Sequence, residues 1–582
     1  EMCIRHSYNT AQSLFVLTQD LGDWVTKGLT VSIKGSFDAK NENNLSRTKT
    51  SPQWLATGRN EAGELEFNQT QIGEENLSYK QTNKGYRSVY FEAVANWART
   101  FGKHDLSAMF LFQQSQKNYV GESANNSEKA LPYRHQGIAG RITYNYDNRY
   151  FVEGNFGYNG SENFSPNHRF GFFPSIAVGY VVSNEKFFAP IRDVVSMVKL
   201  KASYGLVGND QIGGDRRFIY NETVIGGGKY YFGTTPSQYT SVRLGEFPNP
   251  NVGWEKAKKL NLGADLSFFN QLNISVDYFK ENREGIFLQR KSIPMYVGLS
   301  TKPWVNIGKM RNSGIDASLE YHQPLGKDLH LTVRGNFTYA RNRIMDQDEP
   351  DYAYTYMNHS GQMQWQKFGL VAAGLFQDQE DIDSWAKQSF GEVKPGDIKY
   401  LDLNGDGIVD NYDTKPIGYS DIPEIVYGFG FSLQWKAFDL SAFFQGVAHV
   451  SFSTLTDQTQ AFVGRNLKES SVFADLYGNT WTPENPGVKY PRMTTGAIDN
   501  NNQLSTFWMA NGRYLRLKNL ELGYTLPKRI ANKIAMQSLR VYLSGVNLFT
   551  FSPFKLWDPD LQTGATNYPN NRIINLGLTI GF

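Results

Sequence analysis

The last eleven residues, Arg572-Ile-Ile-Asn-Leu-Gly-Leu-Thr-Ile-Gly-Phe582, constrain this chain more than any other stretch. In an extended strand Ile574, Leu576, Leu578, Ile580 and Phe582 fall on one face, while Asn575, Gly577, Thr579 and Gly581 fall on the other. One face is oily, the other is small and polar, and the chain stops on an aromatic ring. A strand of a soluble sandwich shows the same alternation but rarely ends flush with the C-terminus. A closing aromatic is how the barrels of bacterial outer membranes end. Phe582, Ile580 and Leu578 are therefore read as an outer-membrane assembly signal. The rest of the chain must then supply the other strands of an all-β, antiparallel, membrane-spanning barrel.

Composition permits that fold. No apolar run approaches the roughly 18 residues of a membrane helix, which excludes a helical membrane protein. The mean hydropathy is −0.47, yet a barrel shows only every second residue to lipid, so its average looks water-soluble. The 39 Phe, 33 Tyr and 11 Trp are enough for aromatic girdles. With 59 basic and 56 acidic residues the net charge is +3, and no electrostatic case for nucleic acid exists. The single cysteine, Cys3, rules out a disulfide framework and argues against a cysteine metal site. The opening Glu1-Met-Cys-Ile-Arg-His is not a secretory signal, although a barrel needs one, so an N-terminally truncated chain is expected.

Alternating segments recur along the chain. Gln12 to Asp20 and Gly28 to Ala39 read as a first pair, followed by a polar loop to about Gln81 and a hairpin from Tyr86 to Arg99 and Lys103 to Gln116. Ile138, Gly140, Ile142, Tyr144 and Tyr146 turn at Asp147-Asn148-Arg149 into Tyr150, Val152, Gly154, Phe156 and Tyr158, with Arg141, Thr143, Glu153 and Asn155 on the opposite face. Similar hairpins turn at Asn270-Gln271, Pro324-Leu-Gly and Lys436-Ala437. Long polar segments separate them: Asn209 to Glu255, Arg341 to Glu424, Ser451 to Asn511 and Thr550 to Asn571. Short turns at one end and long loops at the other are the mark of an outer-membrane barrel, with the turns periplasmic and the loops extracellular. The register predicts roughly 16 to 20 strands. It leaves Phe582 on the turn side and puts Glu153, Asp265, Asp277, Arg334 and Glu521 on the luminal face. Asn184 to Ser196 and Pro527 to Gln537 are expected to be irregular short connections, the second with helical character.

Several segments carry a family resemblance. They are Gly140-Arg-Ile-Thr-Tyr-Asn-Tyr-Asp-Asn-Arg-Tyr150, Gly171 to Tyr180, Lys201 to Asn209, Pro250-Asn-Val-Gly-Trp-Glu255 and Asn306 to Gly314. Gly396-Asp-Ile-Lys-Tyr400, Asp402 to Asp410, Leu515 to Tyr524 and Leu543 to Phe549 complete the set. Together they resemble the SusC/RagA family of TonB-dependent outer-membrane transporters. The resemblance implies a plugged barrel of about 22 strands, closed over by a SusD/RagB-like lipoprotein and energised through the TonB complex to import glycans or peptides. By that comparison residues 1–582 form one barrel domain, and the signal peptide, TonB box, plug and first strands are expected to be missing.

One constellation carries chemistry. Asp402-Leu-Asn404-Gly-Asp406-Gly407-Ile408-Val-Asp410-Asn-Tyr-Asp413 fits an EF-hand-type loop within the extracellular segment 342–424. The expected ligands of a structural Ca²⁺ are Asp402, Asn404, Asp406, the Ile408 carbonyl, Asp410 and Asp413, with Asp where position 12 usually holds Glu. The alternative is a metal-free Asp/Asn/Gly turn. The eight scattered histidines form no zinc motif, and no nucleophile elbow is present, so no enzyme is expected. Gly226-Gly-Gly-Lys229 reads as an external turn, and Trp365, Trp385, Trp481 and Trp557 as residues of loop packing or lid contact, ahead of the alternative of stacking on sugar rings. Three functions follow: import of a glycan or oligopeptide as a member of that family, a passive porin-like or surface-binding barrel, and a soluble calcium-binding β protein.

Overall fold

The computed structural model describes residues 2–582 except 125–126, 214–215, 235–236, 300, 457–458, 460–472, 495 and 565–566. Seventeen of its strands belong to one sheet. In chain order they are β1 (Met2–Asp20), β2 (Leu29–Thr48), β3 (Lys80–Phe101), β4 (His104–Gly121), β5 (Tyr133–Tyr146) and β6 (Tyr150–Ser161). Next come β7 (Phe170–Val181), β8 (Val195–Asn209), β9 (Glu255–Phe268), β10 (Leu272–Gln289), β11 (Trp304–Leu325) and β12 (Leu329–Asp346). The last are β13 (Ile425–Trp435), β14 (Phe438–Ala448), β15 (Tyr514–Thr525), β16 (Ser538–Phe551) and β17 (Ile573–Gly581). The count falls inside the range read from the sequence. Two compact units divide the chain: Glu1–Ala177, Gly205–Lys256 and Gly298–Asn306 make one, and Val178–Tyr204, Ala257–Val297 and Ile307–Phe582 make the other.

In the first unit β1 through β6 pair antiparallel in chain order with no register shift. Unbroken register keeps one face continuous across all six strands. Phe37, Val89, Phe91, Phe110, Ile142 and Val152 lie on a single face and are exposed, as a lipid-facing surface requires. Asp147 and Asn148 sit at φ of 53° and 52° in the β5–β6 turn between the paired Tyr146 and Tyr150, a left-handed pair closed by the Arg149 amide donating to the Tyr146 carbonyl at 2.9 Å. The strands β1 to β4 are much longer than read from the sequence, because Asn41 to Asn44 and Lys80 to Lys84 stay paired although they look like loop. The segments expected as plain polar loops also hold hairpins, Gln53–Arg59 with Leu65–Gln71 and Val224–Phe232 with Ser237–Leu244. Gly226 to Lys229 is therefore not a turn but a register shift inside a strand.

In the second unit β11 to β17 pair consecutively. Ile574, Leu576, Leu578 and Phe582 of the closing segment are exposed, Leu576 to 78% and Phe582 to 81%. The oily face is thus left uncovered by protein, as a lipid-facing surface requires. A register shift in β15 between Leu517 and Asn519 is matched by Asn547, held at φ 55° in β16, the signature of a bulge. Residues 182–191 form two 3₁₀ turns, and Lys528–Ala531 with Asn532–Ile534 gives the short helical connection. Both irregular connections are where the sequence places them.

Candidate functional site

The face opposite the lipid-exposed residues is polar and stitched by ion pairs. Lys34 meets Glu92 at 2.8 Å, and the Tyr90 hydroxyl donates to the same carboxylate at 2.6 Å. Arg141 reaches Glu153 at 2.7 Å. In the second unit Lys201 bridges Asp265 at 2.8 Å and Asp277 at 3.4 Å, Arg334 meets Glu320 at 3.2 Å, and Arg540 holds Glu521 at 2.6 Å together with Asp439. Every one of the five residues assigned to the luminal face is thus in an ion pair. A half-exposed pair contributes little stability by itself. Its consequence is chemical, since alternating charges keep this face wet and polar.

Outside the large sheet the second unit carries a compact platform. Leu370, Leu375, Ile398, Tyr400, Val409, Leu476, Trp481, Tyr490 and Trp508 form its core. The motif Gly396-Asp-Ile-Lys-Tyr400 organises it residue by residue. Gly396 sits at φ 89°, where an added Cβ would lie 2.4 Å from the Trp481 ring, so only glycine fits. Asp397 is fully buried and accepts from Lys394 N at 2.8 Å, Asn501 Nδ2 at 2.9 Å and Arg492 Nη2 at 3.0 Å. Ile398 and Tyr400 are core, and Ile398 N donates to Asn501 Oδ1 at 2.8 Å. Lys399 pairs with Asp381 at 2.9 Å and lies over the Trp385 ring. Although burial opposes it, that ammonium holds the Asp381 carboxyl below the usual carboxylate range. A neighbouring cavity of about 370 Å³ is lined in part by Asp475, Lys489, Phe507, Trp508, Phe554 and Lys555.

The Asp402–Asp413 loop packs into this platform through Ile408–Val409, which pair parallel with Lys387–Gln388. Asp402 accepts from Gly405 N at 2.7 Å and Gly407 N at 2.8 Å, and Asn404 and Asp406 accept from the amides of Asp406 and Ile408. Asp413 is buried and clasps the amides of Leu403, Asn404 and Asp410. It also closes a capping box with Asp410. Among the described residues no group of three or more His, Cys, Asp or Glu is placed to hold a metal ion. The fit to calcium is therefore divided. Asp402, Asn404 and Asp406 keep lone pairs beyond those used by the loop amides, whereas Asp413 has its two oxygens committed to three backbone donors.

The four loop tryptophans separate. Trp481 is core, Trp385 Nε1 donates to the Tyr400 carbonyl and Trp557 Nε1 to that of Gln562. Trp365 is 63% exposed. A second motif cluster, not anticipated as a spatial unit, lies in the first unit. Trp254 packs between Phe164 and Phe173, Ser165 donates to the Pro250 carbonyl, and Gly253 exchanges two hydrogen bonds with the Asn306 side chain. Its glycine and asparagine partners stand 53 residues apart, so no local pattern reveals it. Arg516 is a further missed residue, buried against Asp558 at 2.5 Å and Asp560 at 3.2 Å.

A long antiparallel sheet with an outward oily face, an ion-paired polar face and an elaborated loop side defines an outer-membrane β-barrel protein. The family model described as "TonB dependent receptor-like, beta-barrel" matches residues 5–548, and the chain belongs to that family. It is 28% identical to TonB-dependent receptor P3 of Formosa agariphila over 95% of this chain and 56% of that protein. It is 27% identical to TonB-dependent receptor SusC of Bacteroides thetaiotaomicron over 76% of this chain and 43% of that protein. The chain spans about half the length of the curated relatives it matches. In fold it superposes on a chain of the RagAB peptide transporter with a TM-score of 0.72, at 20% identity, covering 100% of this chain and 62% of that one. The family is one of receptors and transporters of the bacterial outer membrane.

Proposed function

We propose that the chain is the barrel portion of a SusC-type importer that takes glycans or oligopeptides inward with a SusD/RagB-like lipoprotein and draws its energy through TonB. The observation that carries the reading is the family match across residues 5–548, together with the polar, ion-paired strand face. That face suits a hydrated solute. Energy coupling separates this reading from a passive pore. Uptake of labelled oligosaccharide or oligopeptide by cells producing the whole protein is expected to stop when the inner-membrane proton gradient is collapsed. Uptake that continues unchanged overturns the coupled reading.

The same proposal gives the Asp402–Asp413 loop a structural Ca²⁺ held by Asp402, Asn404, Asp406, the Ile408 carbonyl and Asp410, with Asp413 as the clasp that shapes the loop. When bound, the cation would neutralise carboxylates that now lean on backbone amides and stiffen the platform around Val409. Calorimetry with calcium tests it. Heat in the parent that disappears in Asp402→Ala is expected, and a silent parent ends the assignment.

A further inference from the structure

The strands β1 to β5 carry a second feature beyond the lipid-facing band. On β3 the exposed apolar residues stop at Val89, yet the strand continues to Lys80 and its whole length is 22 residues. At about 3.3 Å per residue and a tilt of about 45° such a strand rises roughly 50 Å, about twice the apolar band. The upper rungs of the polar face are therefore clear of the membrane on the loop side.

Those rungs bear lysines and tyrosines in cross-strand contact. Lys40 stands opposite Tyr86 and Tyr86 opposite Tyr119, while Lys117 stands opposite Tyr133, all on the face that also holds Lys34 and Glu92. The Lys117 ammonium lies 4.2 Å from the Tyr86 ring centre and 4.9 Å from that of Tyr119, and Lys40 lies 5.4 Å from that of Tyr8. Tyr119 meets Tyr133 edge-on at 5.3 Å. Tyr133 in turn is fixed by Arg217, stacked at 3.7 Å and tied to the carbonyls of Glu128, Leu131 and Pro132. Lys80 and Lys84 continue the same face. The acids among them are Asp38 and Glu42, and Glu42 is engaged by the Asn44 amide at 2.9 Å. Among the described residues none of these four lysines has a carboxylate within ion-pair distance, in contrast to the paired charges nearer the turns.

We infer that this lysine–tyrosine ladder is a binding track for an acidic glycan, one bearing carboxylate or sulfate groups. The tyrosine rings offer flat faces for sugar rings. Lys40 and Lys117 are held by ring faces rather than by carboxylates, and Lys80 and Lys84 extend the same face, so these ammonium groups meet an anion without first breaking an ion pair. A neutral glycan would use only the rings, and an acidic peptide only the ammonium groups.

The biological meaning rests on the import reading, but the test does not, because binding needs neither TonB nor a lipoprotein. The full chain in detergent is titrated calorimetrically with an oligogalacturonate, a sulfated oligosaccharide, maltoheptaose and a polyglutamate peptide. Binding of either acidic sugar is expected to be at least ten-fold tighter than that of maltoheptaose, to weaken with salt, and to fall about ten-fold in the Lys84→Gln, Lys117→Gln double variant and less in Lys40→Gln. Equal binding of maltoheptaose, tighter binding of polyglutamate, no binding of either acidic sugar, or folded variants that bind like the parent would each overturn the assignment. The salt response of the parent keeps the test decisive even if the double variant fails to fold.

Discussion

Asp397→Ala tests the platform at its most demanding point. The carboxylate is fully buried and joins Lys394, Arg492 and Asn501, bringing together segments about a hundred residues apart. Its removal leaves the Arg492 guanidinium, 22% exposed, without its counter-charge and Asn501 without one acceptor. Breaking such a buried pair costs about 3–5 kcal/mol. The low end applies here because Arg492 retains some contact with water. About 3 kcal/mol corresponds to a roughly hundred-fold larger population of the locally open state. The assay is amide hydrogen exchange of Ile398 and Tyr400, whose amides bond Asn501 and Gln388, with the β-strand amides as internal reference. The expected result is a loss of protection confined to residues 394–401, 492–494 and 496–508, smaller in Asp397→Asn. Unchanged protection at Ile398 would refute the claim that this carboxylate staples the platform.

Three further outcomes are expected. Leu578→Arg puts a charge on the oily face and should destabilise refolding into lipid vesicles by about 2–4 kcal/mol if near mid-membrane, whereas Thr579→Arg should be tolerated; equal effects in urea titration would reverse the face assignment. Arg540→Met leaves Asp439 and Glu521 facing each other and should cost about 1–3 kcal/mol, partly recovered by adding Glu521→Gln, which a double-variant cycle measures. The Lys489 ammonium and the Tyr490 hydroxyl hold the Asp475 carboxyl below the usual range against a small opposing effect of burial. A lowered folded value means the contribution is complete above about pH 4, the value of a free carboxylate, and is lost as the pH falls through the folded value. The thermal penalty of Asp475→Asn should therefore be present at pH 6 and shrink by pH 3, and a constant penalty would contradict it.

What was legible in the sequence is what a period of two encodes. The faces of β5, β6 and β17 follow directly from alternation, the turns at Asp147-Asn148 and Asn270 from residues that accept positive φ, and the turn at Lys436 from the alternation on either side of it. The upper halves of β1 to β4 were hidden because their Asn, Lys, Gln and Thr residues face water on both sides, leaving no hydrophobic period to read. The hairpin at Val224–Leu244 was hidden by its glycines. The platform was harder still. Gly396 to Tyr400 stood out by resemblance alone, since the work of Asp397 depends on Asn501 and Arg492, which no local pattern links to it. The calcium-type spacing was plain, but spacing does not show that Asp413 spends both oxygens on loop amides.

The central claim is that one face of each strand meets lipid and the other a hydrated interior. With Cys3, the single native cysteine, replaced by Ser, single cysteines placed in turn along Tyr150–Ser161 and labelled with a fluorophore report the claim directly in vesicles of brominated lipid. Quenching should be strong at Val152, Gly154 and Phe156 and weak at Glu153, Asn155 and Gly157. Uniform quenching, or quenching at the odd positions, would contradict it.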